Sequence, residues 1–168
     1  PPYVISPLQG IENYLKSKSS VEIIYSKGKN PQETAELVKS CDVCIIVVGY
    51  TNKEEGEFLF TKGGDRETLT LTNHDENLIT AVEKVNKNCV VVMETGSALI
   101  TEKWRSLPGI KSILMAWYPG MEGGNALADI LFGKVNPSGK LPCIFPKNLS
   151  QLPFFDKNAN EITYDYYH

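Results

Sequence analysis

The chain has 168 residues, 42% hydrophobic and 22% charged, values of a globular domain long enough to bury one core. A net charge of −3 and a pI of ≈ 5.5 leave no basic stripe to neutralise phosphates, which argues against a nucleic-acid partner. No apolar run approaches the roughly twenty residues needed to span a membrane, so no membrane partner is expected.

In chain order, Ser6-Pro7-Leu8-Gln9 reads as a helix start: a serine cap, proline at the first helical position and glutamine three residues after the cap. Leu8, Ile11 and Leu15 supply its buried stripe. Residues 21–25 are a first candidate strand. Asn30-Pro31-Gln32-Glu33 repeats the cap logic and opens a second helix carrying Ala35, Leu37 and Val38. Residues 44–48 form a continuous run rich in β-branched side chains, as expected of a strand covered on both faces. Residues 77–85 are helical by period, the start falling within 72–75, and 90–93 read as another buried strand. A short helix is expected at 102–107. Residues 113–117 are a further buried strand. YPGMEGG then makes a glycine-rich turn, Ala126, Leu127, Ile130 and Leu131 give one apolar helix face, and Gly133 stands where a C-terminal cap belongs. Asn136-Pro137-Ser138-Gly139 turns the chain into 141–146, a candidate edge strand bounded by prolines. The alternation predicts an α/β fold: a three-layer αβα sandwich, its sheet mostly parallel with an antiparallel edge strand.

The cysteines, Cys41, Cys44, Cys89 and Cys143, are too sparse for a disulfide framework. CDVC has CxxC spacing, but it precedes a strand instead of opening a helix and lacks a second pair or a nearby histidine. Buried thiols at strand positions are the expectation.

One connection breaks the rhythm. More than twenty residues separate the strand ending at Val48 from the helix near Asn77, and connections of that length are usually functional or without fixed structure. This one leaves the carboxyl end of a strand, where α/β sheets place ligands. It carries Glu54, Glu55, Glu57, Asp65 and Arg66. Such residues suit a hard cation, although the DxDxDG order of a calcium loop is missing. They equally suit a glutamate serving as proton donor, or a solvated acidic loop.

YPGMEGGNALADILFGKVNPSGKLP closely resembles the signature near the end of the α/β-sandwich domain of family 3 glycoside hydrolases, the β-glucosidase type. EEGEFLFTKGGDRETLTL, followed by NLITAVEKVNKNCVVVMETGS, is similar to the family pattern of a glutamate-glycine pair, a GDR element, a helix and a VVV strand. PLQGI is similar to the family's PLEGI, so the resemblance covers most of residues 1–146. It implies retaining hydrolysis of terminal β-D-glucosides. The acid/base glutamate comes from this loop, and the nucleophilic aspartate from a barrel domain of the same polypeptide. Carried over to this chain, the acid/base falls on Glu55, with Glu57 as the close alternative. The implied partners are a β-glucoside or oligosaccharide substrate and the barrel domain, and no cofactor is expected. The resemblance further implies a sandwich domain over 1–146 whose first strand lies upstream, and a tail over 147–168 leading toward another domain. The family has proline where this chain has Thr72, a difference confined to a helix start. Asp65 and Arg66 are expected to form a local ion pair, and Asn125 with the nearby glycines to cap and fit a helix start. Trp104 and Trp117 could stack on sugar but read better as structure, Trp117 as core after a buried strand, and His74 lacks a nucleophile motif nearby. A non-catalytic carbohydrate-binding or interaction module of the same fold is the alternative. A flavodoxin-like nucleotide domain would need phosphate-binding turns that this sequence does not have.

Overall fold

The computed structural model describes residues 2–18, 20–56, 66, 68–152 and 161. The elements run α1 (Pro7–Leu15), α2 (Pro31–Val38), β1 (Cys44–Gly49), α3 (Asn52–Glu55), α4 (Asn73–Val85), β2 (Cys89–Glu94), β3 (Ile110–Met115) and α5 (Gly123–Leu131). The three strands form one sheet in the order β1-β2-β3, every pair parallel. Cys44 lies in register with Cys89, and Gly49 with Glu94. The fold is the expected α/β sandwich: α2 packs on α4, α4 packs on β1 and β2, and α1 packs on α5.

Local chemistry explains the helix starts. The Ser6 hydroxyl accepts from the Gln9 amide while the Gln9 side chain accepts from the Ser6 amide, a reciprocal capping box ahead of Pro7. Asn30 caps α2 by accepting from the amides of Gln32 and Glu33. Thr72 caps α4 by accepting from the Asp75 amide at 3.1 Å. Gly133, at φ 74°, ends α5 in the left-handed region that glycine enters freely.

Period-2 alternation turns Cys44, Ile46 and Val48 of β1, with Cys89, Val91 and Met93 of β2, into one core together with Leu78, Ile79 and Val82 of α4. Leu99 and Trp104 complete it, both fully buried. Each large apolar side chain removed from water there contributes about 1.5–3 kcal/mol. Gly10 and Gly124 let α1 and α5 touch: a Cβ on Gly10 would stand 1.9 Å from the Gly124 carbonyl oxygen.

Several elements differ from expectation. Residues 21–25 are not a strand. A β-rich apolar run becomes one only where a neighbour supplies a ladder, and among the described residues it has none. Val21, Ile23, Ile24 and Tyr25 accordingly stay exposed. The same holds for 141–146, where Ile144 is 88% exposed, so the described sheet carries no antiparallel strand. Residues 102–107 make turns instead of a helix, bonded from Trp104 and Arg105 back to Thr101. The expected buried strand at 113–117 instead runs from Ile110 to Met115 and is exposed to half-buried along its length, Ile113 being 37% exposed, and beyond it Trp117 takes a left-handed conformation with φ 55°.

Candidate functional site

In a parallel sheet all strands end on the same side, so the residues following β1, β2 and β3 meet along one edge. There, Tyr50, Thr51, Asn52, Glu55, Arg66, Gly96, Ser97 and Tyr118 line a cleft of about 530 Å³. Among the described residues Glu55 is the one carboxylate in that lining.

The acidic connection starts with a single helical turn that the sequence reading passed over, although its signals are local. Thr51 caps α3 by accepting from the Lys53 amide, and the Glu54 carboxylate accepts in return from the Thr51 amide at 2.8 Å. The Thr51 hydroxyl and amide hold the Glu54 carboxyl below its usual range. Gly56, at φ 78°, ends the turn in the left-handed conformation that the Glu-Gly pair permits. Glu54 is thereby used up as a cap and points to no ligand, while Glu55, the last residue of α3, faces the cleft.

Among the described residues three donors surround Glu55. Its Oε1 accepts from the Gly96 amide at 2.9 Å and from the Tyr118 phenol. Its Oε2 lies 3.4 Å from Arg66 Nε, the two side chains only 19% and 11% exposed, so solvent screens the pair weakly. The Arg66 guanidinium also stacks over the Tyr50 ring at 4.9 Å. The Tyr50 hydroxyl in turn donates to the Thr70 carbonyl, tying the far end of the connection to the strand end. Burial raises the Tyr50 phenol, opposed by Arg66. Burial also raises the Tyr118 phenol, and its hydrogen bond to Glu55 adds to the rise, so both rings stay protonated donors. Glu94, at the end of β2, is likewise raised by burial.

Of the residues singled out from sequence, Glu55 and Arg66 come together across the cleft. Glu57 and Asp65 lie outside the described residues. Arg66 pairs with Glu55, a partner eleven positions back that spacing alone did not indicate. Asn125 does not cap α5: the cap position is Glu122, and Asn125 donates to the Glu122 carboxylate at 2.7 Å. Trp104 is core, as expected. His74 Nε2 lies 2.8 Å from the Gly28 carbonyl, a tie between the α4 start and the preceding connection. The reading missed Gly96, Tyr50 and Tyr118. The rule that ligands sit beyond strand ends would have found them, since each lies within three residues of one.

Residues 1–168, the whole chain, match the glycosyl hydrolase family 3 C-terminal domain. The chain belongs to that family. A beta-glucosidase of Schizophyllum commune is 31% identical over 171 residues, covering 98% of this chain and 88% of that protein. A beta-xylosidase of Formosa agariphila is 36% identical over 161 residues, which is 91% of this chain and 21% of the relative. Among solved structures, a beta-D-glucoside glucohydrolase of Trichoderma reesei superposes with a TM-score of 0.83 at 28% identity, covering 94% of this chain and 22% of that one. A family 3 beta-glucosidase of Neurospora crassa gives 0.73 at 33% identity, covering 82% and 16%. This family 3 domain therefore spans most of the Schizophyllum protein but about a fifth of the other three.

Proposed function

We propose that this family 3 domain supplies the acid/base glutamate, Glu55, for retaining hydrolysis of terminal β-D-glucosides. The nucleophilic aspartate stands on a barrel domain of the same polypeptide, residues 1–146 form the sandwich unit, and 147–168 lead onward. In the first step the Glu55 carboxyl gives its proton to the glycosidic oxygen. The bond from the anomeric carbon to that oxygen breaks with its electron pair going to the oxygen, and the aspartate bonds the anomeric carbon. In the second step the Glu55 carboxylate takes a proton from water, whose oxygen displaces the aspartate and releases the sugar. This domain alone holds half of that pair and is expected to be inactive.

The observation that carries the reading is the place of Glu55. It sits at the carboxyl edge of the sheet, in the cleft, held by groups from beyond all three strand ends. In the full-length protein, Glu55→Gln should lower turnover by about 10²–10⁴, the usual share of general acid/base catalysis. Added azide should partly restore it for substrates with good leaving groups, because azide needs no base to attack the glycosyl-enzyme. Loss of activity in Glu57→Gln but not in Glu55→Gln would transfer the role to Glu57. Normal turnover in both variants would end the proposal.

A further inference from the structure

We propose that Tyr118 is a positioning residue for the acid/base carboxyl: with the Gly96 amide it fixes Oε1 of Glu55, leaving Oε2 as the oxygen that carries the working proton. This inference rests on the role proposed for Glu55. Oε1 already accepts from two donors, the Gly96 N–H and the Tyr118 O–H. An amide N–H can only donate, so a proton placed on Oε1 would oppose it. Among the described residues Oε2 faces a single donor, Arg66 Nε at 3.4 Å, which is beyond the 2.7–3.2 Å of a normal N–H···O bond. That oxygen has the room to hold a proton and hand it on. The Tyr118 phenol, raised by burial and by Glu55, remains protonated and so remains a donor when Glu55 is charged.

The backbone before Tyr118 supports a directed role. Trp117 sits at φ 55°, a conformation rare for a bulky aromatic residue and typical of functional sites. It falls two residues beyond β3, just after Ala116 closes the last ladder bond to the Met93 carbonyl at 2.9 Å. The turn brings the next ring over Gly96, where a Cβ would lie 3.2 Å from Tyr118 Cε2. Within this domain Tyr118 is 52% exposed. What the turn achieves is contact between the phenol and Glu55. The carboxyl is thereby fixed from three elements at once: α3 beyond β1, Gly96 beyond β2 and Tyr118 beyond β3.

The test compares the full-length enzyme with Tyr118→Phe and Glu55→Gln on two substrates. One is an alkyl glucoside, whose poor leaving group needs the proton. The other is a dinitrophenyl glucoside, whose leaving group departs without it. Tyr118→Phe keeps the ring on Gly96 and removes one oxygen. It should lower kcat/KM on the alkyl glucoside about tenfold through kcat, and change the dinitrophenyl substrate less than about twofold. Equal losses on both substrates, or no loss on either, would overturn the positioning role. If Tyr118→Phe is indistinguishable from the parent while Glu55→Gln is inactive and azide-rescued, the positioning inference alone falls. If Glu55→Gln turns over the alkyl glucoside at the parental rate, the acid/base reading falls and this inference with it.

Discussion

Replacing Gly96 by alanine tests the site with one methyl group. The new Cβ would stand 3.1 Å from Glu55 Oε1 and 3.2 Å from Tyr118 Cε2, both closer than ordinary van der Waals contact. Both neighbours are side-chain atoms, so they can yield by a few tenths of an ångström. Gly96 is also absent from the glycines with positive φ, so alanine meets no backbone strain. The fold should therefore lose only about 1 kcal/mol, the low end of overpacking. Catalysis should lose more in proportion. A misplacement of about 1 Å at a reacting group can cost about 10² in rate, so a shift of a third to half of that predicts a loss of roughly five- to tenfold. The assay is kcat/KM of the full-length enzyme on an alkyl glucoside, with circular dichroism and melting as controls. Parental kcat/KM in a folded Gly96→Ala enzyme would show that the proton donor does not work from beside Gly96.

The same substitution at Gly49 should fail differently. There the Cβ would lie 2.0 Å from the Glu94 carbonyl oxygen, backbone of the paired strand, so the β1–β2 ladder must open, at about 3 kcal/mol or more; a Gly49→Ala protein that melts like the parent would contradict this register. Glu83 predicts a pH dependence. Burial raises this carboxyl, but bonds from Lys87 Nζ and the Gly109 amide, both at 2.8 Å, outweigh burial and leave it lowered. With the folded value below the unfolded one, its contribution is complete above the unfolded carboxyl range and disappears as pH falls through the folded value. Glu83→Gln should thus cost about 1 kcal/mol in urea unfolding near neutral pH, and the difference from the parent should shrink as pH falls below the ordinary glutamate range. A gap unchanged by pH would refute the charge argument.

Sequence made the locally encoded parts legible. The caps at Ser6, Asn30 and the Thr72 region depend on residues three positions apart, and β1 and β2 on unbroken apolar runs. The end of β3 was misplaced because the reading treated Trp117 as strand, and an apolar run does not disclose a left-handed residue. Residues 21–25 and 141–146 carry strand-like apolar composition, but pairing is a property of the neighbour. The site divides along the same line. A motif and an anomalously long connection point to Glu55, which lines the cleft. They do not point to its hydrogen-bond partners, because Tyr118 is 63 positions away and meets it only through the parallel order of three strands.

That order also sets what the rest of the chemistry must supply. Parallel strands place one short segment from each crossover along a common edge, which is sufficient to hold a carboxyl group from several sides. It is not sufficient for a retaining pair, because a second carboxyl must stand about 5–5.5 Å from the first across the anomeric carbon. The described lining of the cleft offers Glu55, two phenols, a guanidinium, small polar side chains and a glycine. None of the last four classes is the nucleophile of the proposed reaction. Under the proposed reaction the demand on a barrel domain is then narrow: an aspartate facing this edge, at that separation from Oε2 of Glu55, with the sugar ring between them.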